Sequence, residues 1–197
     1  MPSSMVHLMT AYEYRPDSPA EFWVGNLAPD CIDDWKERDD FHLRTAQNKE
    51  QAFIDFAKNI NKDDLFSEGM LLHLFVDRKW DDDLRQQYIK HFNSDDWFQS
   101  YRNEIGLLSA RLFHDNSWSI KIWEDMLNCE ISKYNKTKNI SNISNISSVN
   151  ILSILQRANK YHVDNPLAEP CFYSVEAIID FTLKTAKDYL YWRHSTI

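Results

Sequence analysis

Two side chains that commonly bind metal ions lie four residues apart in an apolar stretch of this sequence. They are His73 and Asp77, in the segment Gly69-Met70-Leu71-Leu72-His73-Leu74-Phe75-Val76-Asp77. Residues four apart on an α-helix project from the same face, so a helix here presents an imidazole and a carboxylate together. Burying both groups without partners is costly. Either a bound cation or mutual hydrogen bonding would remove that cost.

Three further candidate ligands lie in earlier segments, each beside apolar residues. His7 lies in the apolar N-terminal segment, Asp30 follows a turn that contains Pro29, and His42 lies between two apolar residues. Histidine and aspartate together suit Zn²⁺, with Fe²⁺ or Mn²⁺ as alternatives. The sequence therefore predicts a metal site drawn from several segments, with the candidate ligands His7, Asp30, His42, His73 and Asp77.

The elements that would position these residues are helices. The chain has only three glycines and six prolines in 197 residues, and this scarcity disfavours all-β folds, which need many turn glycines. We expect an all-α, single-domain bundle of about eight helices over residues 1–197, with a metal site between helices. A low-complexity loop is expected at about 135–148, where Asn-Ile-Ser occurs three times.

Local patterns predict several helix boundaries. The central helix is expected from an N-cap at Asp63 or Asp64 to about Trp80. Ser18, followed by proline, is predicted to cap a short second helix, and Ser117 a later one. The charged run at 33–40 indicates a solvated loop or helix face. A glycine inside the central helix, Gly69, costs roughly 1 kcal/mol relative to alanine, and it predicts close approach of another segment.

Charge and cysteine usage limit the possible functions. A formal net charge of −8 makes the chain a poor candidate for binding duplex nucleic acid. Cys31, Cys129 and Cys171 are scattered and odd in number, which is typical of a reducing compartment. We find neither a signal peptide pattern nor an uncharged window near the roughly 20 residues of a transmembrane helix. The expected location is therefore the cytoplasm.

Several motifs in the first half of the chain form a recognisable series. They are Gly25-Asn26-Leu27-Ala28-Pro29-Asp30, the charged run, Phe41-His42, and Gly69-x-x-x-His73-Leu74-x-x-Asp77-x-x-Trp80. In order and spacing this series resembles bacterial relatives of zinc-dependent phospholipase C, a superfamily that includes zinc-dependent single-strand nucleases. The resemblance covers roughly residues 5–80. It implies an all-α fold and hydrolysis of a phosphate ester, with a small phosphorylated or phospholipid substrate.

The resemblance also implies roles for the candidate ligands. Asp30, His42, His73 and Asp77 match the ligands of one zinc ion, and Asp77 would also bridge toward a neighbouring metal to which His7 contributes. A metal of this kind activates water for attack on a phosphate ester. The resemblance therefore makes Asp30 and Asp77 the candidate catalytic residues.

The second half of the family pattern is incomplete. One histidine expected after Asp77 is missing, although His91-x-x-x-Asp95 has the spacing of a later ligand pair. His114 is followed at the fourth position by Trp118, which cannot bind a metal. We therefore expect one or two metal ions and not three, with His91, Asp95 and His114 only as weaker candidates.

Two other interpretations remain open. Adjacent His114 and Asp115 after an apolar run resemble an HD-type metal-dependent phosphohydrolase, with His73 as its earlier histidine and Asp164 or Asp180 as its late aspartate. That interpretation leaves Asp30 and His42 without a role. The second alternative is a non-catalytic helical protein in which the cluster is structural.

Overall fold

The computed structural model describes residues 1–61, 63–92, 96–132 and 147–196, which form helices and no strands. The expected all-α fold class is therefore confirmed. The elements are α1 (Ser4–Tyr14), α2 (Ala20–Leu27), a 3-10 helix (Ala28–Cys31), α3 (Trp35–Phe41), α4 (Lys49–Asn59), α5 (Leu65–Asp82), α6 (Leu84–Phe92), α7 (Trp97–Asp115), α8 (Ser119–Leu127), α9 (Ser148–Asp164) and α10 (Val175–Thr196).

The central helix, α5, is buried along most of its length, as its apolar sequence predicts. Asp64 is its N-cap, and the carboxylate accepts hydrogen bonds from the backbone N–H groups of Phe66 and Ser67. The helix continues two residues beyond Trp80, to Asp82. Residues of α5 belong to an apolar core shared with the other long helices. The polar side chains on α5 are therefore enclosed by the body of the protein.

Two glycines allow α2 and α5 to pack backbone against backbone. A Cβ atom on Gly69 would lie 2.3 Å from the carbonyl oxygen of Phe22, and one on Gly25 would lie 2.1 Å from that of Phe66. No side chain fits at either position without a shift of the helices. The close approach predicted at Gly69 is thus confirmed, and it presses the end of α2 against the middle of α5.

Two predicted caps are wrong. Helix α2 begins after Pro19 without a side-chain cap, and the Ser18 carbonyl accepts a hydrogen bond of 2.9 Å from Trp23 Nε1. Helix α8 begins at Ser119, and Ser117 does not cap it. The Ser119 hydroxyl donates to the carbonyl at the end of the preceding helix, Phe113 O, at 2.5 Å. In both places a local hydrogen bond between a side chain and a nearby carbonyl replaces the predicted cap.

The charged run forms α3, which is capped by the Asp34 side chain and largely exposed. The low-complexity segment predicted at 135–148 lies outside the described residues except for its last two positions. Among the helices that are described, none combines the length and the apolar character needed to cross a membrane.

Candidate metal centre

The five predicted ligands lie together in one buried group, which we call the His/Asp cluster: His7, Asp30, His42, His73 and Asp77. They come from α1, the 3-10 helix, the residue after α3, and two positions on α5. Two overlapping triads have all ligand atoms within 4.8 Å of one another. The triads, which share one histidine, are His7–Asp30–His73 and His42–His73–Asp77. The folded chain therefore assembles one compact donor set.

The rings of His42 and His73 face each other through their ligating nitrogens. The two Nε2 atoms are 3.1 Å apart. The Nδ1 atom of His42 lies 2.6 Å from Arg38 O, and that of His73 lies 2.7 Å from Asn26 O. A carbonyl accepts only, so both Nδ1 atoms carry hydrogen and a neutral ring directs its Nε2 lone pair at the other. A proton or a cation between the rings is needed to remove this repulsion.

The two accepting carbonyls lie near helix ends, and that of Arg38 also accepts a hydrogen bond of 3.0 Å from the backbone N–H of His42. Asn26 is near the end of α2, and Arg38 is in the last turns of the short α3. The last four carbonyls of a helix lack partners within the helix. A backbone carbonyl on the second ring nitrogen is the usual arrangement at metal-binding histidines, because it fixes the tautomer and the ring orientation.

The two carboxylates complete the set of candidate ligands, but they do not satisfy the hydrogen-bonding atoms of the cluster. Asp30 Oδ1 is 3.4 Å from His42 Nε2, and Asp77 Oδ1 is 3.5 Å from His7 Nε2, which exceeds ordinary hydrogen-bond distance. Both oxygens and both ring nitrogens of His7 are buried without a hydrogen-bond partner. Native proteins seldom leave several such atoms in one place. The donor types and their burial fit a divalent cation.

One carboxylate of the cluster also has a cationic partner that the sequence did not indicate. Arg44 Nη2 donates to Asp77 Oδ2 at 2.9 Å and Nη1 donates to Asp39 at 3.0 Å. Leu43 before it has φ 58°, in the left-handed region. This turn allows His42 and Arg44 to approach the same Asp77 oxygen, at 3.5 and 2.9 Å. The guanidinium therefore competes for the oxygen that a bridging role for Asp77 would use.

The cluster separates the proton affinities of its two central histidines. Burial alone would lower the pKa of His42, but its contact with Asp30 and the negative charge of Asp77 outweigh burial and raise the pKa. Burial and the neighbouring His7 lower the pKa of His73 to about 3. Of these two histidines, His42 is therefore the one that binds a proton more readily.

Both aspartates are held ionised. Burial opposes ionisation, but contact with His42 and the charge of His73 hold the pKa of Asp30 below its usual range. The pKa of Asp77 also lies well below its usual value, because contact with His7 and the charge of His42 outweigh burial. The cluster thus offers two carboxylates and the neutral imidazole of His73 in the protonation states that bind metal, whereas at His42 a metal would compete with a proton.

The cluster has access to solvent through Asp30. A cavity of about 660 Å³ includes Asp30 in its lining, together with residues of α3, α7 and α9. The Asp30 side chain is 24% exposed, whereas those of His7 and His73 are fully buried. The volume suits a small molecule. A ligand in the cavity can therefore reach the cluster from the side of Asp30.

The weaker candidates do not join the cluster. His91 is exposed and packs its ring 5.2 Å from that of Phe172. His114 Nε2 lies 2.9 Å from the backbone oxygen of His162, and its neighbour Asp115 pairs with Arg111. Within the described part of the chain, neither histidine lies in a group of three or more side chains that could bind a metal ion. Asp95 lies outside the described residues.

The late aspartates of the HD-type interpretation have other environments. Asp164 pairs with Lys160 one turn earlier, and Asp180 is exposed on α10. Comparison of the chain with protein-family models, with curated proteins and with solved structures found no match. The geometry of the cluster therefore carries the functional argument.

Proposed function

We propose that this protein is a metal-dependent hydrolase of phosphate esters, with one divalent ion, zinc by ligand chemistry, at the His/Asp cluster. The supporting observation is the pair of facing Nε2 atoms, 3.1 Å apart, on rings whose Nδ1 atoms are both committed to carbonyls. Asp30, His42, His73 and Asp77 would hold the ion, and His7 lies close enough to contribute. The arrangement agrees with the resemblance to zinc-dependent phospholipase C.

A metal ion in such a site lowers the pKa of water and polarises a phosphoryl oxygen, which together supply hydrolytic chemistry near neutral pH. The residues of the cluster would position the substrate and the ion. Asp30 is the cluster member that lines the cavity, so a substrate would meet the cluster there. Asp77, fixed by Arg44, would keep its carboxylate oriented.

A purely structural metal site is the second candidate. Full enclosure by protein is typical of structural zinc, whereas catalytic sites keep an open position. The partial exposure of Asp30 on the wall of a cavity of about 660 Å³ favours the catalytic alternative.

The test is metal content followed by activity. We expect elemental analysis of protein purified after metal-replete expression to find about one zinc per chain in the wild type and in His114→Ala, and little in His73→Ala. Phosphodiester and phosphomonoester model substrates should then be hydrolysed by the wild type and His114→Ala only. Absence of metal from the wild type would overturn the proposal. Loss of activity in His114→Ala with metal retained would instead favour the HD-type interpretation.

A further inference from the structure

The cavity beside the cluster is rich in arginine although the protein is acidic. Its lining includes Arg38, Arg44, Arg85, Arg102 and Arg157, which are five of the nine arginines in the chain. Among the described residues, two carboxylates, Asp30 and Asp39, line it with them. A chain with a net charge of −8 has thus gathered guanidinium groups at one concave surface. Concave, positively charged walls attract anions.

Two of these arginines are already paired. Arg44 contacts Asp39 and Asp77, and Arg85 lies 3.2 Å from Asp81. These pairs would fix the two guanidinium groups beside the cluster. Their charges are partly neutralised by the protein itself.

The other three arginines have no carboxylate partner among the residues that the structure describes. In the part of the chain that the structure describes, the arginine ion pairs involve Arg44, Arg78, Arg85, Arg111 and Arg193. Arg38 on α3, Arg102 on α7 and Arg157 on α9 therefore offer free guanidinium groups on three walls of the cavity. Guanidinium binds phosphate through paired, charge-assisted hydrogen bonds.

One phosphate at the cluster would not use three further unpaired arginines. We infer that the cavity binds a small molecule with more than one phosphate group, one at the His/Asp cluster and the others on Arg38, Arg102 and Arg157. This assignment of substrate class rests on the proposed function. The volume of about 660 Å³ accommodates a molecule of this size. Trp35 and Phe98, 68% and 54% exposed, lie on the same lining and are available to the organic part.

Binding can be measured without the metal, which keeps the inference separate from the proposed function. Isothermal titration calorimetry of chelator-treated, full-length protein would use inorganic tripolyphosphate and inorganic phosphate as probes. We expect tripolyphosphate to bind about 100-fold more tightly than phosphate, because it reaches more than one arginine. The double variant Arg102→Gln/Arg157→Gln should lose about 100-fold, or roughly 10-fold per side chain.

Arg15 provides the matched control, since it is exposed, lies outside the cavity lining and has no ion pair with the described residues. Arg15→Gln should bind tripolyphosphate like the wild type. Equal losses in Arg15→Gln and the double variant would show general charge attraction and would overturn the inference. Equal affinity of the wild type for phosphate and tripolyphosphate would also overturn it. Circular dichroism of each variant would verify that the fold is retained.

The two proposals fail separately. If the wild type purified after metal-replete expression contains no metal but binds tripolyphosphate tightly, the hydrolase proposal is overturned and the polyanion site stands. Metal content and phosphoesterase activity without selective tripolyphosphate binding would do the reverse. A parallel titration with a nucleoside triphosphate would show whether the organic part adds affinity through Trp35. An affinity equal to or higher than that of tripolyphosphate agrees with a site for several phosphates.

Discussion

Helix α5 carries two sets of buried polar side chains, Glu68 near its start and His73 with Asp77 further along, and they differ in how completely the protein satisfies their hydrogen-bonding groups. Glu68 is 2% exposed, and its carboxylate accepts hydrogen bonds from Tyr14 at 2.9 Å, Tyr189 at 3.0 Å and Arg193 Nε at 2.8 Å. The His/Asp cluster, by contrast, leaves both nitrogens of His7 and an oxygen of Asp77 without hydrogen-bond partners.

The difference separates a self-contained structural network from a candidate binding site. Burial, and then the neighbouring Glu68 charge, raises the pKa of Tyr14 to about 12, so its hydroxyl remains a donor across the neutral range. The Glu68 network thus contains its own donors and acceptors and needs no ligand. The cluster contains more acceptors than donors, and a cation would balance it. Sequence alone cannot make this distinction, because both groups read as charged residues in an apolar helix.

The largest expected effect is the increase in the free energy of unfolding that metal binding causes, and variants of Glu68 and His73 on α5 should affect it differently. Metal at 1,000 times its dissociation constant should stabilise the wild type by about 4 kcal/mol. Glu68→Gln should lower the free energy of unfolding by about 3 kcal/mol with or without metal, because it breaks a buried ion pair, and it should keep the increment due to metal. His73→Ala should lose that increment. Urea denaturation with and without added zinc measures both terms.

Glu50 supplies a control for the charge removed. It pairs with Arg78 on the surface, with 59% of its side chain exposed. Glu50→Gln should change stability by less than about 1 kcal/mol. The comparison breaks down if Glu68→Gln loses the metal increment, or if His73→Ala retains it.

A smaller effect is expected at the glycine that lies between the two groups. Gly69→Ala would place a methyl group 2.3 Å from Phe22 O and force α2 away from α5. Overpacking of this kind costs about 1–3 kcal/mol. The same shift would move the Asn26 carbonyl from His73 Nδ1, now 2.7 Å away, and lower zinc affinity by about 10-fold or more. Unfolding titrations and chelator competition measure the two losses.

Gly106 is the matched control, because it also lies inside a helix. A Cβ there would lie 3.0 Å from the end of the Tyr161 side chain, which can move. Gly106→Ala should therefore be near neutral, or stabilising by up to about 1 kcal/mol through helix propensity. Equal destabilisation by both alanines would show that loss of glycine, and not the contact between α2 and α5, is responsible.

The parts of this molecule that follow from local sequence were predictable. Helical periodicity and the cap at Asp64 gave α5, and the apolar setting of His7, His42 and His73 identified side chains that lie together in the fold. The caps at Ser18 and Ser117 were wrong: local hydrogen bonds from Trp23 Nε1 to Ser18 O and from the Ser119 hydroxyl to Phe113 O occur at these helix starts instead.

Other features depend on contacts between distant segments, which one sequence does not contain. Two backbone carbonyls, of Arg38 and Asn26, orient the ligand rings, and any residue type supplies a carbonyl. Arg44 contacts Asp77, 33 positions along the chain, because Leu43 adopts a positive φ. A glycine would have indicated such a turn in the sequence, but the residue here is leucine. Four of the cavity arginines lie on α3, α6, α7 and α9, and the fifth, Arg44, lies between α3 and α4. Only the fold shows that they share a surface.

The smallest expected effect concerns the proton that the cluster holds in place of a metal. The pKa of His42 is raised and that of His73 is lowered to about 3, so below the pKa of His42 this ring, and not that of His73, carries an additional proton. Zinc must displace this proton. Zinc affinity should therefore fall about tenfold per pH unit, or 1.4 kcal/mol, below the pKa of His42. Above that pKa it should be constant.

The sign follows from the direction of the shift at His42. A raised pKa means that the folded, metal-free protein binds the proton more tightly than the unfolded chain, so the proton's contribution to stability is present below about pH 6.5 and is lost as pH rises through the His42 pKa. Zinc competes with that proton for His42, so zinc affinity rises as the proton is lost with increasing pH. Calorimetric zinc titrations in two buffers of different ionisation enthalpy would count the protons released. Release of one proton at pH 6 agrees with a single shared proton, whereas release of two would contradict a cluster in which one neutral ring accepts a hydrogen bond from one imidazolium.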